Sequence, residues 1–591
     1  MKAIKHIIIL LIFSAFFTSC AEDFLSIEPN NKANDGTYWT SETAIRNFAW
    51  GFYVNHFPAF GSGWTWGTVF YGQGLSKCDD FTSATKYTDN IPSSATAWRF
   101  DYVRRANYFI DRVKNAVIPD PNPATLEHWL GVGYFFRALA YHELIKTYGD
   151  VPWYDRVLEE EDPDLYIPRT PRTEIMDQLL IDLKYAAEKV RDNDGNNAVN
   201  KYVVLAYMSR IFLFEGTFLK YHNLDQTRAT KYLEAAKWAA NEVIGSGKYR
   251  LNNSYQTNFN AIDLANNTEV ILYREYAAGI VMHLLHSYVN KEGQTGTSAD
   301  AVNSYLCKDG FPISQSSLYQ GEQGTRDGRT KIGESVFVDR DPRLRLNIVD
   351  SARVSTMGAP STSGYSCLKY WNKDLKDIAG GLSNTNITDA PLIRLAEVML
   401  NYAEACAELG TLIQDDLDIS INALRDRAGM EMPHLQVQGG LPAVGGVLIN
   451  DAQRDPTVPE MIWEIRRERR VETMFEYFRL DDLKRWAKLE YTDQDKYPLI
   501  NTGMYIVRNQ MLNAKGDPTM DKNITLYNPN TGQTGKEADG VLEGFVIPIT
   551  SGKRTLTAVE LQRAYLEPIP NDQIQLYKSN GVTLTQNPGW E

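Results

Sequence analysis

Long amphipathic segments that occur in neighbouring pairs constrain the fold of this chain more than any other feature. The clearest segment covers residues 391–410, begins with Pro391, ends with Gly410, and places apolar residues at steps of three or four: Leu392, Leu395, Met399, Tyr402, Cys406 and Leu409. Further helices are predicted over 458–486 and over about 99–117, 126–148, 173–191, 201–219, 227–245 and 417–428. Short Gly, Pro or Asn segments join neighbours, so the pattern predicts a mainly α fold with a TPR-like scaffold of helical pairs, although no clean 34-residue period recurs.

The rest of the chain has a different character. Residues 54–97, 248–390, 430–457 and 491–560 are rich in Gly, Ser, Thr, Asn and aromatic residues and show no sustained periodicity. Connections this long are uncommon in a compact domain unless they build a binding surface. We therefore expect long loop-rich insertions with minor β structure, carried by the helical scaffold.

The N-terminus has the features of an export signal. Two lysines precede an uncharged apolar run over residues 7–17, which is shorter than the roughly 20 residues needed to cross a bilayer. Small residues follow at 18 and 19, so residues 1–19 are predicted to be a signal peptide and Cys20 the first mature residue. The segment resembles a bacterial lipoprotein signal, in which the thiol of that cysteine carries lipid. The alternative is an ordinary signal peptide with an incidental cysteine.

Composition narrows the class of function. The net charge of −13, from 74 acidic and 61 basic residues, argues against a nucleic-acid partner, which requires a basic face. Five cysteines without a CxxC spacing indicate neither a disulfide scaffold nor a metal site. No hydrolase elbow, HExxH motif, phosphate loop or histidine cluster occurs among the eight histidines. We therefore predict no enzyme activity and no cofactor.

Two charged motifs allow more than one interpretation. In residues 465–472 arginines alternate with glutamates, and Glu476 can reach Arg479 one turn later, which favours a structural ion network over an anion site. Three acidic residues share the polar face of the helix predicted over 391–410: Glu397, Glu404 and Glu408. They are interpreted as solvated or paired with an arginine such as Arg394, and the alternative is an acid/base couple.

The glycine-rich stretch over residues 60–74 is the best candidate for a binding site. Trp64 and Trp66 lie two positions apart among glycines, and Tyr71 follows closely. If the stretch is an exposed loop, the indoles can present flat apolar faces to a sugar ring while polar side chains meet its hydroxyls. The alternative is a β-strand with both indoles packed on one face, because residues i and i+2 of a strand point the same way.

Other candidates lie nearby in the loop-rich regions. Asp79 and Asp80 follow the aromatic stretch and are interpreted as hydrogen-bonding groups for a ligand or as turn formers. Three tyrosines are second-rank candidates for stacking on a ligand: Tyr288, Tyr305 and Tyr319.

Several segments resemble, in order, the signatures of the SusD/RagB family of outer-membrane nutrient-binding lipoproteins. They are "FFRALAYHELIKTYGDVPWY" (135–154), "LIRLAEVMLNYAEACAELG" (392–410), "IRRERRVETMFEYFRLDDLKRW" (465–486) and "YLEPIPNDQIQLYKSNGVTLTQNPGW" (565–590). Residues 23–30, 38–53 and 166–187 also fit, so the similarity covers most of the chain outside the loop-rich regions. It implies one SusD-like domain over 20–591, with an N-terminal part to about 250 and a C-terminal part from about 251.

The resemblance also implies a function and a location. Family members bind glycans without cutting them, and they act as lids on a SusC-like, TonB-dependent outer-membrane transporter. A lipid on Cys20 would anchor the protein to the outer membrane, and Glu22 and Asp23 resemble the acidic export tag of surface lipoproteins in the Bacteroidetes, which indicates the cell exterior. The alternatives are a surface glycoside hydrolase and a binder of peptides or other nutrients on the same scaffold.

Overall fold

The computed structural model describes residues 35–61, 77–82, 91–94, 97–116, 118, 122–286, 296–319, 321–322, 334–352, 361–376, 378–382, 384–511 and 520–591. Within these ranges the α-helices are α1 (Asp35–Tyr38), α2 (Glu42–His56), α3 (Asp101–Lys114), α4 (Pro123–Tyr148), α5 (Arg172–Lys189), α6 (Lys201–Tyr221), α7 (Gln226–Gly245), α8 (Thr257–Asn260), α9 (Ala299–Asn303), α10 (Arg343–Asn347), α11 (Leu395–Glu408), α12 (Gln414–Asp418), α13 (Ile421–Arg425), α14 (Glu460–Glu472), α15 (Arg479–Arg485), α16 (Ala558–Arg563) and α17 (Asn571–Ser579). The strands are β1 (Phe81–Thr82), β2 (Val270–Arg274), β3 (Gly296–Thr297), β4 (Ala390–Arg394), β5 (Gln436–Gln438), β6 (Leu441–Val444), β7 (Val447–Leu448), β8 (Tyr505–Val507), β9 (Leu526–Asn528), β10 (Gln533–Gly535) and β11 (Glu543–Val546).

Helices α3 to α7 form a consecutive array, and α11 extends it by packing on α7. Local sequence sets where these helices begin and end. The side chain of Asn122 accepts a hydrogen bond from the first turn of α4, and Asn200 does the same for α6. Gly149 ends α4 with a φ of 75°, a backbone conformation that favours glycine. The prediction of a helical-pair scaffold is confirmed.

Helix α6 is the central helix of this array and is buried on almost every side. Its length and composition would allow it to cross a membrane, but 94% of its most apolar window is buried inside the protein, as in the core helix of a globular protein.

The described residues form two hydrophobic cores. The first lies between α2, the helices of the array and α11, and the second lies under the loop-rich half, where α9, α10 and β8 contribute to it. The described strands form small antiparallel sheets, in the orders β1-β3, β2-β4, β5-β6-β7 and β10-β9-β11-β8. The predicted long insertions with minor β structure are therefore confirmed as well.

Three helix predictions were wrong in their bounds. The segment predicted over 391–410 begins as strand β4, because residues 390–394 pair with β2, and α11 starts only at Leu395. The segment predicted over 458–486 divides into α14 and α15, since Phe475 and Tyr477 adopt positive φ angles of 68° and 70°. The segment predicted over 417–428 is likewise two short helices, α12 and α13.

The arginine-rich helix α14 forms the predicted ion network, and the network is buried. Arg394 donates to Glu472 at 2.7 Å and to Glu476 at 2.6 Å, and it also pairs with Glu269 at 2.9 Å. Glu476 therefore faces Arg394, and the predicted pair between Glu476 and Arg479 is absent from the described contacts. Burial opposes ionisation of Glu472, but the surrounding arginines keep its pKa well below the ordinary value.

The acidic face of α11 is paired and not solvated, which corrects one of the two interpretations given above. Glu397 binds Arg210 at 2.6 Å, and Glu404 binds Arg485 at 2.6 Å. Glu408 accepts from Lys220 at 2.8 Å. All three carboxylates are buried, because α11 is packed between α7, α6 and α14.

Candidate functional site

A cleft of about 910 Å³ lies between the helical array and the loop-rich half. Its walls come from the end of α2, the second half of α4, the middle of α6, strand β4 and helix α15. The volume falls within the range of about 300–1,000 Å³ that is typical of small-molecule sites. The cleft is therefore large enough for a ligand of several rings.

Two neutral imidazoles line this cleft. Burial lowers the pKa of His56 to about 4 and that of His142 to about 4, so both rings are uncharged near neutral pH. Within the described part of the chain, neither Nε2 atom has a hydrogen-bond partner. The His142 Nε2 atom lies 3.8 Å from Glu215 Oε1, beyond hydrogen-bond distance. Both nitrogens are buried, so a ligand hydroxyl would reach them only after the surrounding side chains moved.

Most charged groups in the cleft are already paired. Arg210 forms a two-bond contact with Glu397 at 2.6 and 2.7 Å, and Lys146 binds Asp481 at 2.8 Å. Burial lowers the pKa of Lys484, although the nearby carboxylate of Asp481 acts in the opposite direction. The paired carboxylates are held by cations, which leaves neither of them free to act as a general acid or base.

Aromatic rings provide the apolar surface of the cleft. The rings of Tyr102, Tyr207, Tyr477 and Phe478 all line it. The guanidinium of Arg210 lies 4.6 Å from the ring centre of Tyr207 and 5.2 Å from that of Phe478, which fixes both rings. Flat apolar faces beside hydrogen-bond donors and acceptors suit a polar ring compound such as a sugar.

The predicted tryptophan-bearing stretch is attached at the rim of this cleft. Pro58 and Ala59 line the cleft on one side of residues 62–76, and Lys77 lines it on the other. Four predicted contact residues lie outside the described residues and stay predictions: Trp64, Trp66, Tyr71 and Tyr288.

Two segments with predicted site residues, 62–76 and 287–295, have flanking residues that contact each other at both ends. Where residues 62–76 begin, the ring of Phe60 lies 4.8 Å from that of His283, just before residues 287–295. Where the segments end, Phe81 pairs with Thr297 and the next residue pairs with Gly296 in the β1-β3 ladder. The backbone N–H of Gly296 also donates to Thr362 at 2.8 Å. Sequence alone gives no sign of this shared attachment.

Asp79 and Asp80 lie in a turn and are buried in ion pairs. Both oxygens of Asp79 accept from Arg479, at 2.7 and 2.6 Å, and Asp80 accepts from Arg470 at 2.7 Å. Burial opposes ionisation of Asp79, but the two arginines keep its pKa below the ordinary value. This position supports the turn-forming interpretation, since the carboxylate of Asp79 is occupied by Arg479.

The two remaining tyrosine candidates have different environments. Tyr305 is fully buried, and its hydroxyl accepts a hydrogen bond from Asn347 at 2.9 Å, so this ring packs in the second core and cannot stack on a ligand. Tyr319 is half-buried, with the guanidinium of Arg340 lying 5.4 Å from its ring centre. Of the two, only Tyr319 keeps surface that a ligand could contact.

The described residues contain no group of three or more His, Cys, Asp or Glu side chains arranged to hold a metal ion. Cys78, Cys307, Cys367 and Cys406 are buried free thiols. Burial raises the pKa of Cys367 to about 12, which keeps that thiol protonated.

Comparisons with known proteins agree with this architecture. The chain is similar to the SusD-like protein P2 of Formosa agariphila, with 25% identity over 60% of this chain and 64% of that protein. It is similar to the SusD-like protein P38 of the same organism, with 23% identity over 83% of this chain and 93% of that protein. A crystal structure of a SusD-like carbohydrate binding protein from Bacteroides fragilis superposes with a TM-score of 0.64 at 18% identity, covering 94% of this chain and all of that one.

Two family models match separate parts of the chain. The model described as "Starch-binding associating with outer membrane" matches residues 24–213. The model of the SusD family matches residues 241–590, which is more than half of the chain. This protein belongs to the SusD family.

Proposed function

We propose that this protein binds oligosaccharides at the outer surface of the outer membrane and passes them, without cleaving them, to a TonB-dependent β-barrel transporter. The observation that carries the proposal is the cleft of about 910 Å³, which combines aromatic walls with unpartnered neutral imidazoles and has the attachment points of the tryptophan-bearing stretch at its rim. Family membership supports the ligand class, because one matching family model is described as starch-binding and a structural relative as carbohydrate binding.

The proposed contacts extend from the cleft onto the two segments that share their flanks. Trp64, Trp66 and Tyr71 belong to the first segment and Tyr288 to the second, and the neighbouring flanks of the two segments support the proposal that both contribute to one ligand site. Tyr319 is a further proposed contact. Each stacked indole face would bury about 50–80 Å², which is worth roughly 1–2 kcal/mol, or about tenfold in affinity. The paired carboxylates of Glu397 and Asp481 support binding without cleavage.

The test replaces both indoles. In calorimetry with linear starch oligosaccharides and laminarin oligosaccharides, the Trp64→Ala/Trp66→Ala protein should lose binding and keep its melting temperature within a few degrees. Trp238→Ala is the matched control, because this tryptophan is 42% exposed on α7, away from the cleft. Binding that persists in a well-folded double variant would contradict the proposed contacts. Early unfolding would instead indicate the packed-strand alternative, because a core Trp→Ala change costs about 3–5 kcal/mol.

A second pair of variants tests the role of the cleft. His56→Leu removes an unpartnered nitrogen and Tyr102→Ala removes a ring, and both should weaken oligosaccharide binding severalfold. If both bind like wild type while the double tryptophan variant does not, the ligand lies on the loop segments and not in the cleft.

Membrane attachment is proposed to depend on Cys20 in a mature chain of residues 20–591. Several acyl chains, at about 0.8 kcal/mol per buried methylene, would hold the protein on the membrane, so Cys20→Ala should release it. Fractionation of the variant with the outer membrane, in cells without the transporter, would contradict lipid anchoring. Added protease should degrade the wild type on intact cells, and full protection would place it on the periplasmic side.

A separate experiment tests the proposed partnership with the transporter. Crosslinking in cells followed by gentle solubilisation should recover a β-barrel of larger mass, through an interface above roughly 1,000 Å². A protein that always purifies alone after crosslinking would contradict this partnership and leave glycan binding untouched.

A further inference from the structure

A second pocket, of about 270 Å³, is lined by Arg479, whose neighbours Phe478 and Leu480 line the cleft. Its walls come from α9, the start of α14 and the residues around 451–456 and 491–497. None of the described residues that line this pocket also lines the cleft. The pocket is therefore a separate site, with room for about one ring of a ligand.

The charged side chains of this pocket are paired with one another or with close neighbours. The contacts include Asp300 with Arg470 at 2.8 Å, Asp455 with Lys488 at 2.7 Å, Arg454 with Glu460 at 2.9 Å and Arg479 with Asp79 at 2.6 Å. Asp451 pairs with Arg467 in the same way. Because each of these charges already has its counter-charge, the pocket favours neither a cation nor an anion.

Three aromatic rings form the apolar surface of the pocket. Trp463 is half-buried, and its indole Nε1 donates to Asp451 at 3.1 Å, which fixes the plane of the ring. The hydroxyl of Tyr491 donates to Asp455 at 2.6 Å, and the ring of Tyr497 meets that of Tyr491 edge to face at 5.3 Å. Rings held in place in this way lose little freedom when a ligand stacks on them.

One neutral polar atom in the pocket has no partner. The Oδ1 atom of Asn303 is buried, and no hydrogen bond reaches it from the described residues. A buried acceptor without a donor is unfavourable, so a ligand hydroxyl that donated to it would be favoured.

We propose that this pocket binds one neutral hexose unit, stacked on Trp463 and hydrogen-bonded to Asn303. Such a ring has a flat C–H face for the indole and hydroxyls for the amide, and it carries no charge. The proposal shares its ligand class with the proposed function but shares no residue with the cleft or with the segment that carries Trp64.

The experiment measures this site in the Trp64→Ala/Trp66→Ala background, so that the first site does not contribute. Saturation-transfer NMR uses the methyl glycosides of glucose, galactose and mannose, with glucuronate and glucosamine as charged probes. At least one neutral glycoside should give a signal stronger than both charged probes. Adding Trp463→Ala should weaken its binding about tenfold with an unchanged melting temperature, whereas adding Trp238→Ala should leave it unchanged.

Other results would overturn the proposal. They are the absence of a signal from all three neutral glycosides, a stronger signal from glucuronate or glucosamine, and a signal that persists with Trp463→Ala. If Trp463→Ala lowers the melting temperature, Asn303→Ala decides, because it removes the unpartnered acceptor and keeps the rings. Asn303→Ala should then weaken binding severalfold, and unchanged binding would refute the site. If the Trp64→Ala/Trp66→Ala protein loses oligosaccharide binding but keeps the glycoside signal, the two ligands bind at different sites.

Discussion

Ionisation of the buried Glu322 lowers the stability of the folded protein. Its side chain is 8% exposed, and its Oε2 atom has no hydrogen-bond partner in the described ranges. Burial raises its pKa to about 7 from the ordinary 4.5, although the nearby Arg340 acts in the opposite direction. Because the folded state binds this proton more tightly than the unfolded state, Glu322 contributes its full stability below pH 4.5 and loses it as the pH rises through 7.

Glu322→Gln should remove this pH dependence. The free energy of unfolding of the wild type should fall between pH 4.5 and 8 by up to about 3 kcal/mol more than that of the variant, which is the equivalent of moving a pKa from 4.5 to about 7. Urea unfolding at both pH values measures the difference. Glu160→Gln, at an exposed position, is the control and should keep the wild-type slope. Equal slopes for wild type and Glu322→Gln would show that Glu322 is ionised freely in the folded protein.

Two glycines at helix ends differ in their backbone conformation and in the space around them. Gly149 ends α4 at a positive φ, and a Cβ atom there would lie 3.1 Å from Leu566 Cδ1. Gly245 is the last residue of α7, without a positive φ, and a Cβ atom there would meet no atom within 4 Å.

Alanine at these two positions should have opposite effects. Gly149→Ala should lower the free energy of unfolding by about 1–3 kcal/mol, because the backbone strain adds to the close contact. Gly245→Ala should raise it by roughly 0.5 kcal/mol, since it restricts the unfolded chain and improves helix propensity. Denaturant unfolding of both variants checks the signs. A destabilising Gly245→Ala would mean that the end of α7 depends on a conformation open only to glycine.

The helices could be predicted because the spacing of their apolar residues is a local signal. The breaks within these helices could not be predicted from the sequence, because contacts with residues far away in the sequence determine them. The turn between α14 and α15 directs Arg479 to Asp79, which is 400 positions away in the sequence, and β4 replaces the first helical turn because β2 pairs with it. Tyr305 and Tyr319 both follow loop-like sequence, yet Tyr305 is buried beside Asn347. The aromatic stretch was predicted from composition, whereas the cleft needed tertiary structure, since its walls come from distant segments.

At the scale of the whole molecule, Arg394 joins segments that are far apart in the sequence. It is the last residue of strand β4 and binds Glu269 beside β2, Glu472 in α14 and Glu476 beyond it. Arg394 and Glu269 are almost completely buried, so each charge depends on the others for compensation.

Arg394→Met should therefore destabilise the whole protein by about 3–5 kcal/mol, because three buried carboxylates lose one of their cations and keep only Arg427, Arg343 and Lys369. Arg156→Ala is the matched control: it breaks contacts to Asp162 and Asp164, but its side chain is 49% exposed, so solvent screens these contacts and the loss of stability should be far smaller. Chemical unfolding followed by circular dichroism compares the two. A loss below 1 kcal/mol for Arg394→Met would show that the network is dispensable.

The flanks of residues 62–76 and 287–295, which carry four of the proposed ligand contacts, are held in place by other parts of the fold. Backbone pairing between β1 and β3 fixes one pair of ends, and the packing of Phe60 on His283 fixes the other. Doubling the length of a connection between fixed ends costs only about 0.6 kcal/mol of chain entropy. Insertions, deletions and substitutions between these ends can therefore accumulate while the helices stay unchanged, so the proposed ligand contacts can diverge between related proteins that keep the same scaffold.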